Sequence, residues 1–168
     1  MKQLSQSIIN SAKSLLGRWT KVTTLGCMLA LVFLGATTAQ PQPSGTARPF
    51  KATGIPAMGD GTFIIVGNAT HLGHFVFPGT FKVVGRTPDG LKVFFHIQGT
   101  YTAANGDTIE IDCPDWVGDF SQNPVLSWGL VKIVGGTGRF ANASGSYVGT
   151  LSPGNAPTLF TAEGTISY

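Results

Sequence analysis

The chain has 168 residues, which is one domain by size, and carries 11 basic and 8 acidic residues for a formal net charge of +3. Four of the basic residues, Lys2, Lys13, Arg18 and Lys21, fall before Ala39, where no acidic residue stands, so the rest of the chain has a net charge of −1. The basic residues that remain, among them Lys82, Arg86, Lys92, Lys132 and Arg139, are spread singly, which excludes an electrostatic nucleic-acid interface.

The first 39 residues read as a secretory signal peptide. A basic flank precedes the apolar run from Leu25 to Ala36, and the small residues Thr37-Thr38-Ala39 follow it, placing cleavage after Ala39. The run is shorter than the roughly twenty apolar residues a bilayer-crossing helix needs, so no stable membrane span is expected once it is removed. Cys27 does not suit lipidation, because most of the apolar run lies after it. The expected location is secreted or periplasmic. Residues 40–49, opening Gln-Pro-Gln-Pro-Ser-Gly, lack periodicity and read as a mobile leader to a single domain over 50–168.

From there strand-like alternation recurs with turn chemistry between the runs, and no segment holds a helical period. A short strand is expected near Phe50–Thr53, followed by Gly61–Gly67, His74–Val84, Leu91–Tyr101, Thr108–Cys113, Val125–Val134, Gly145–Leu151 and Thr158–Tyr168. Pro88-Asp89-Gly90, Asn105-Gly106-Asp107 and Pro153-Gly154-Asn155 reverse the chain. About eight antiparallel strands leave two open edges unless the sheet closes, which favours an all-β antiparallel barrel, preceded by the signal helix, over a two-sheet sandwich.

Each strand separates two faces. Leu91, Val93, Phe95 and Ile97 share one, while Lys92, Phe94, His96, Gln98 and Thr100 share the other. Two arrangements satisfy this pattern: apolar faces filling the barrel, or apolar faces packed outward with polar ones lining a lumen.

Cys113 is the only thiol after the signal, so no internal disulfide is available. It continues the apolar face of Ile109 and Ile111 and reads as a small buried hydrophobe. Beside it lie Glu110, Asp112, Asp115 and Asp119, half of the chain's eight acids, with Trp116 among them and Pro114 ending the strand. Glu110, Asp112, Asp115, Trp116 and His96 are the candidate ligand-binding residues: carboxylates at a barrel mouth can divide acid and base roles when burial separates their pKa values, and an indole offers a flat apolar wall. A solvated acidic loop is the competing reading. His71 and His74 are three apart on an extended chain and point to opposite faces, so no metal is expected. No cofactor motif and no nucleophile elbow is visible. The aromatics from Phe63 to Phe160 exceed the needs of one small core, which suggests an apolar pocket for a small ligand.

The run Gly135-Gly136-Thr137-Gly138-Arg139-Phe140-Ala141-Asn142-Ala143-Ser144-Gly145 could pass for a phosphate cradle, but a strand, not a helix, follows it. It reads as a structural turn. With Gly67-Asn68-Ala69-Thr70-His71-Leu72-Gly73, Tyr101-Thr102-Ala103-Ala104-Asn105-Gly106-Asp107 and the ending Glu163-Gly164-Thr165-Ile166-Ser167-Tyr168, it resembles the allene oxide cyclase barrel-like group, which includes the dirigent proteins, in its bacterial secreted branch. The resemblance implies a small antiparallel barrel with a lumen and carries no catalytic residue onto this chain. Three roles follow as alternatives: a barrel binding a small apolar molecule, an enzyme of the cyclase or dirigent type, or an interaction module of the cell envelope.

Overall fold

The alternation becomes eight antiparallel strands in the computed structural model, which describes residues 45–152 and 157–168. They are β1 (Arg48–Met58), β2 (Thr62–Ala69), β3 (Gly73–Arg86), β4 (Lys92–Ala103), β5 (Thr108–Asp119), β6 (Leu126–Gly136), β7 (Ser144–Ser152) and β8 (Leu159–Ser167). Each pairs with the next, and β8 closes on β1, so the sheet has no open edge. The expected signal helix lies outside the described residues, and β1 begins inside the segment read as a leader.

Two strand boundaries depart from expectation. The short run near Phe50–Thr53 is part of an 11-residue strand that pairs on both sides. The run from Thr108 does not stop at Cys113, because a β-bulge accommodates Pro114 within β5. Against β4 the register passes from Ile97↔Cys113 to Phe95↔Trp116, and against β6 from Asp112↔Lys132 to Val117↔Trp128. One extra residue is absorbed, the missing proline N–H falls where the ladder is interrupted, and side-chain parity reverses. Ile109, Ile111 and Cys113 point inward before the bulge; Trp116 and Gly118 do so after it.

The more apolar face of each strand therefore fills the barrel, and the outward faces mix polar side chains with exposed aliphatics such as Ile55, Ile64 and Leu130. On β4, Val93 is buried and Phe95 and Ile97 pack on the core, while Gln98 faces solvent. Leu91, expected on the inward face, is 44% exposed, because it belongs to the β3–β4 turn, where its N–H donates to Asp89. The outer wall carries charges such as the 2.7 Å Lys51–Glu163 ion pair, beside exposed aliphatic side chains that include Ile64, Val66, Leu130 and Val148. Among the described residues no helix is long and apolar enough to cross a membrane.

The interior has a solid base and a hollow top. At the base Phe50, Phe75, Tyr101, Ile109, Phe140 and Ile166 are wholly buried. Phe77 stacks on Tyr101 at 3.9 Å, and Phe75 meets the same ring edge-on at 5.0 Å. The glycine-rich run is the stopper. Between β6 and β7 it forms a single 3-10 turn, Gly138–Phe140, that carries Phe140 across the base, 4.8 Å from the Tyr168 ring. Leu72, buried in the β2–β3 turn, completes the same end.

Candidate functional site

Above this base the barrel encloses a cavity of about 270 Å³ that opens between Met58, Phe120 and Val125. Glycines at inward positions explain the space. A methyl group on Gly99 would come within 2.6 Å of the Phe77 ring, and one on Gly129 or Gly149 within 2.9 or 2.8 Å of the Trp116 indole. Bare backbone lets these rings lie against the wall, and the barrel axis stays open. Phe63 and Ile65 of β2, Phe81 of β3, and Phe95 and Ile97 of β4 form one side, facing Val131, Leu151 and Phe160. The rim is apolar too, with Met58 58%, Phe120 50% and Val125 39% exposed.

Among the described residues two hydroxyl-bearing side chains interrupt this lining. Tyr147 sits deep, its hydroxyl 2.8 Å from that of Tyr101, and burial pushes both phenols above their ordinary range. Ser127 lies toward the rim, where its Oγ accepts a 2.6 Å hydrogen bond from Trp116 Nε1.

The five candidate residues from the sequence divide between the two sides of the wall. Trp116 is buried and lines the cavity. His96 and Asp112 do meet, with His96 Nε2 donating to Asp112 Oδ1 at 2.6 Å, and Gln98 donates to the same oxygen at 3.0 Å. This cluster sits on the outer face of β4 and β5, with the two side chains 37% and 31% exposed. The His96 hydrogen bond, helped by Gln98, holds the Asp112 carboxyl below its ordinary range. Glu110 and Asp115 are exposed, and neither lines the cavity. The bulge is the cause: without its extra residue Trp116 would share the face of Asp112.

Asp119, the last member of the acidic run, is buried beside the rim and accepts from the Ser121 N–H at 3.0 Å and the Ser121 hydroxyl at 2.5 Å. These bonds lower its pKa and tie down the start of the β5–β6 turn. Cys113 is buried, and desolvation raises its thiol to about 11, so it is a packed group and not a nucleophile. His71, at φ 67, turns its Nε2 to within 2.9 Å of the Pro49 carbonyl oxygen, while His74 is exposed. No three potential metal ligands cluster among the described residues.

Sequence reasoning missed Ser127 and the tyrosine pair. Ser127 gave no signal, since a lone serine in a strand is unremarkable. The glycines did: Gly99, Gly129 and Gly149 all stand on inward positions within strands, where a missing side chain marks a close approach. Together the fold and the cavity define an eight-stranded closed antiparallel barrel with an apolar lumen. No protein-family profile and no curated protein matches this chain.

Proposed function

We propose that this protein is an exported barrel that binds a small apolar molecule in its lumen, a member of the allene oxide cyclase barrel-like group acting as a binder. One observation carries the reading: an open-mouthed cavity whose lining, among the described residues, is apolar except for the Ser127 and Tyr147 hydroxyls and the Trp116 indole N–H. Desolvation of apolar surface would drive binding, at roughly 25 cal/mol per Å² removed from water. A cavity of about 150 Å³ accepts benzene, so 270 Å³ suits a ligand of roughly a dozen heavy atoms. The cyclase alternative asks for a desolvated acid at the ligand, and Glu110, Asp112 and Asp115 stand on the other side of the wall from it. Export is supported by the basic flank, apolar run and small-residue stop of the first 39 residues.

Equilibrium dialysis with naphthalene tests the binding role. The expected result is saturable uptake of one molecule per barrel, weakened at least about tenfold by Val131→Phe, which fills part of the lumen while the β-sheet circular dichroism is retained. Uptake that is absent, or that Val131→Phe leaves unchanged, defeats the lumen as the site. N-terminal sequencing of protein recovered from its host should begin at Gln40; retention of Leu25–Ala36 in a soluble product refutes export by signal cleavage.

A further inference from the structure

We infer that Ser127 makes the lumen selective for neutral apolar molecules that carry a hydrogen-bond-acceptor oxygen, such as a ketone, ester or ether, over plain hydrocarbons; this rests on the binding role proposed above. Ser127 stands on the inward face of β6, opposite Gly118 of β5 and Leu151 of β7. Neither neighbour offers its side chain a polar partner. Trp116 Nε1 donates to the Ser127 oxygen, so that bond leaves the hydroxyl hydrogen still to be placed. Among the described residues the Ser127 hydroxyl appears in no other hydrogen bond, and the lumen side chains nearest the rim, Met58, Phe95, Phe120 and Val125, have no acceptor beyond a thioether. A hydroxyl held in place by an indole and still able to donate into an apolar enclosure is completed by an oxygen on the ligand.

Charge narrows the class further. Among the described residues no Asp, Glu, Lys, Arg or His lines the cavity, so a carboxylate or an ammonium inside it would be desolvated without a counter-charge from them. The other hydroxyl among the described lining residues, that of Tyr147, is already shared with Tyr101 at the base, and the Trp116 N–H is taken by Ser127. Ser127 is therefore the group near the mouth that can distinguish a carbonyl from a methylene.

A matched pair tests this: 2-acetylnaphthalene and 2-isopropenylnaphthalene, which differ by a carbonyl oxygen in place of a methylene carbon. In a lumen with no donor, the ratio of their affinities equals the ratio of their water-to-alkane partition coefficients. The expected result is that the ketone exceeds that ratio by at least about tenfold and that its bound carbonyl stretch shifts to lower frequency than in alkane. Because Ser127→Ala alone would free the Trp116 N–H to take over, the assigning variant is Trp116→Phe with Ser127→Ala, which should erase both signals. Should that variant not fold, the carbonyl shift is compared between the wild-type protein and Tyr147→Phe: a shift kept in Tyr147→Phe supports Ser127, and one lost with the Tyr147 hydroxyl overturns the assignment. Both compounds bound at the partition ratio, with an unshifted carbonyl, overturns the inference and leaves the binding role standing. A ketone preference that survives the double variant but is lost in Tyr147→Phe overturns the assignment to Ser127. Neither compound bound overturns the binding role and this inference with it.

Discussion

Tyr101 and Tyr147 reach toward each other from β4 and β7 and join through a 2.8 Å hydrogen bond between their hydroxyls. Both are buried, and this bond marks the boundary between the solid base and the hollow top. Below it Phe50 packs on both rings, at 6.1 and 5.1 Å between centroids. Above it Tyr147 lines the cavity. A polar contact at this depth is tolerated because each hydroxyl satisfies the other.

Removing one partner should cost more than removing both. Tyr147→Phe leaves the Tyr101 hydroxyl buried without a partner and should destabilise the barrel by about 1–3 kcal/mol, whereas the double change to Phe should recover most of that loss. Urea unfolding of the two single variants and the double gives the coupling directly. If the two single losses add in the double, the hydroxyls are not acting as a pair.

The wall glycines make a second expectation. At Gly149 a Cβ would stand 2.8 Å from Trp116 Cζ3, with the rest of a larger side chain still to be placed. Gly149→Val should push the indole into the lumen, lower stability by about 1–3 kcal/mol and weaken naphthalene binding. Trp116 fluorescence should change with it, while Trp128, on the outer face, should not. Binding and emission like those of the parent would mean the ring does not need the glycine.

Much of the barrel was legible because alternation of period two is a direct imprint of a sheet with one face on a core. The antiparallel order followed from short turns such as Pro88-Asp89-Gly90, which join neighbours and cannot make crossovers. The glycine-rich run was legible as a turn, but not as a stopper, because nothing local to it says that Phe140 meets Tyr168 at the far end of the chain. The candidate site was harder for one reason. Pro114 announced an interruption of β5, and the sequence does not say whether a strand ends at a proline or swallows it as a bulge. That choice put Trp116 inside and left Asp112 and Asp115 outside, so residues adjacent in sequence serve different sides of the wall.

At the stopper, Gly138 has φ 58, a left-handed conformation, and a Cβ there would run into the Asp107 carboxylate. Asp107 also lies 3.5 Å from Arg139, so the substitution disturbs an ion pair as well as the backbone. Gly138→Val should cost about 1–3 kcal/mol, read as a lower urea midpoint. Because the turn lies at the closed end, naphthalene affinity measured in folded protein should not move. An unchanged midpoint would show that the turn is free to rearrange.

Cys113 should be silent in the native state. It has no exposed surface, and burial lifts its thiol to about 11, so at pH 8 little thiolate is available and none is accessible. An aromatic disulfide reagent should label no thiol on the mature folded protein and one per chain after denaturation. Prompt labelling of the folded protein would put the sulfur at a surface or in reach of the cavity.

The outer cluster of His96, Gln98 and Asp112 should tune stability with pH and leave binding alone. The Asp112 carboxyl is held below its ordinary range mainly by the His96 hydrogen bond, against an unfolded-state value near 4. A lowered folded pKa means that the stabilising contribution is fully present above the unfolded value and is lost as pH falls through the folded one. With part of the pair in solvent, the contribution should be below about 1 kcal/mol. Asp112→Asn should therefore melt slightly below the parent at pH 7, and the gap should close as both are taken from pH 4 toward pH 2. Naphthalene affinity at pH 7 should be the same in both, since the carboxylate lies outside the wall. A gap that persists at pH 2 would assign the effect to packing, and a loss of binding in Asp112→Asn would place the acid within reach of the ligand.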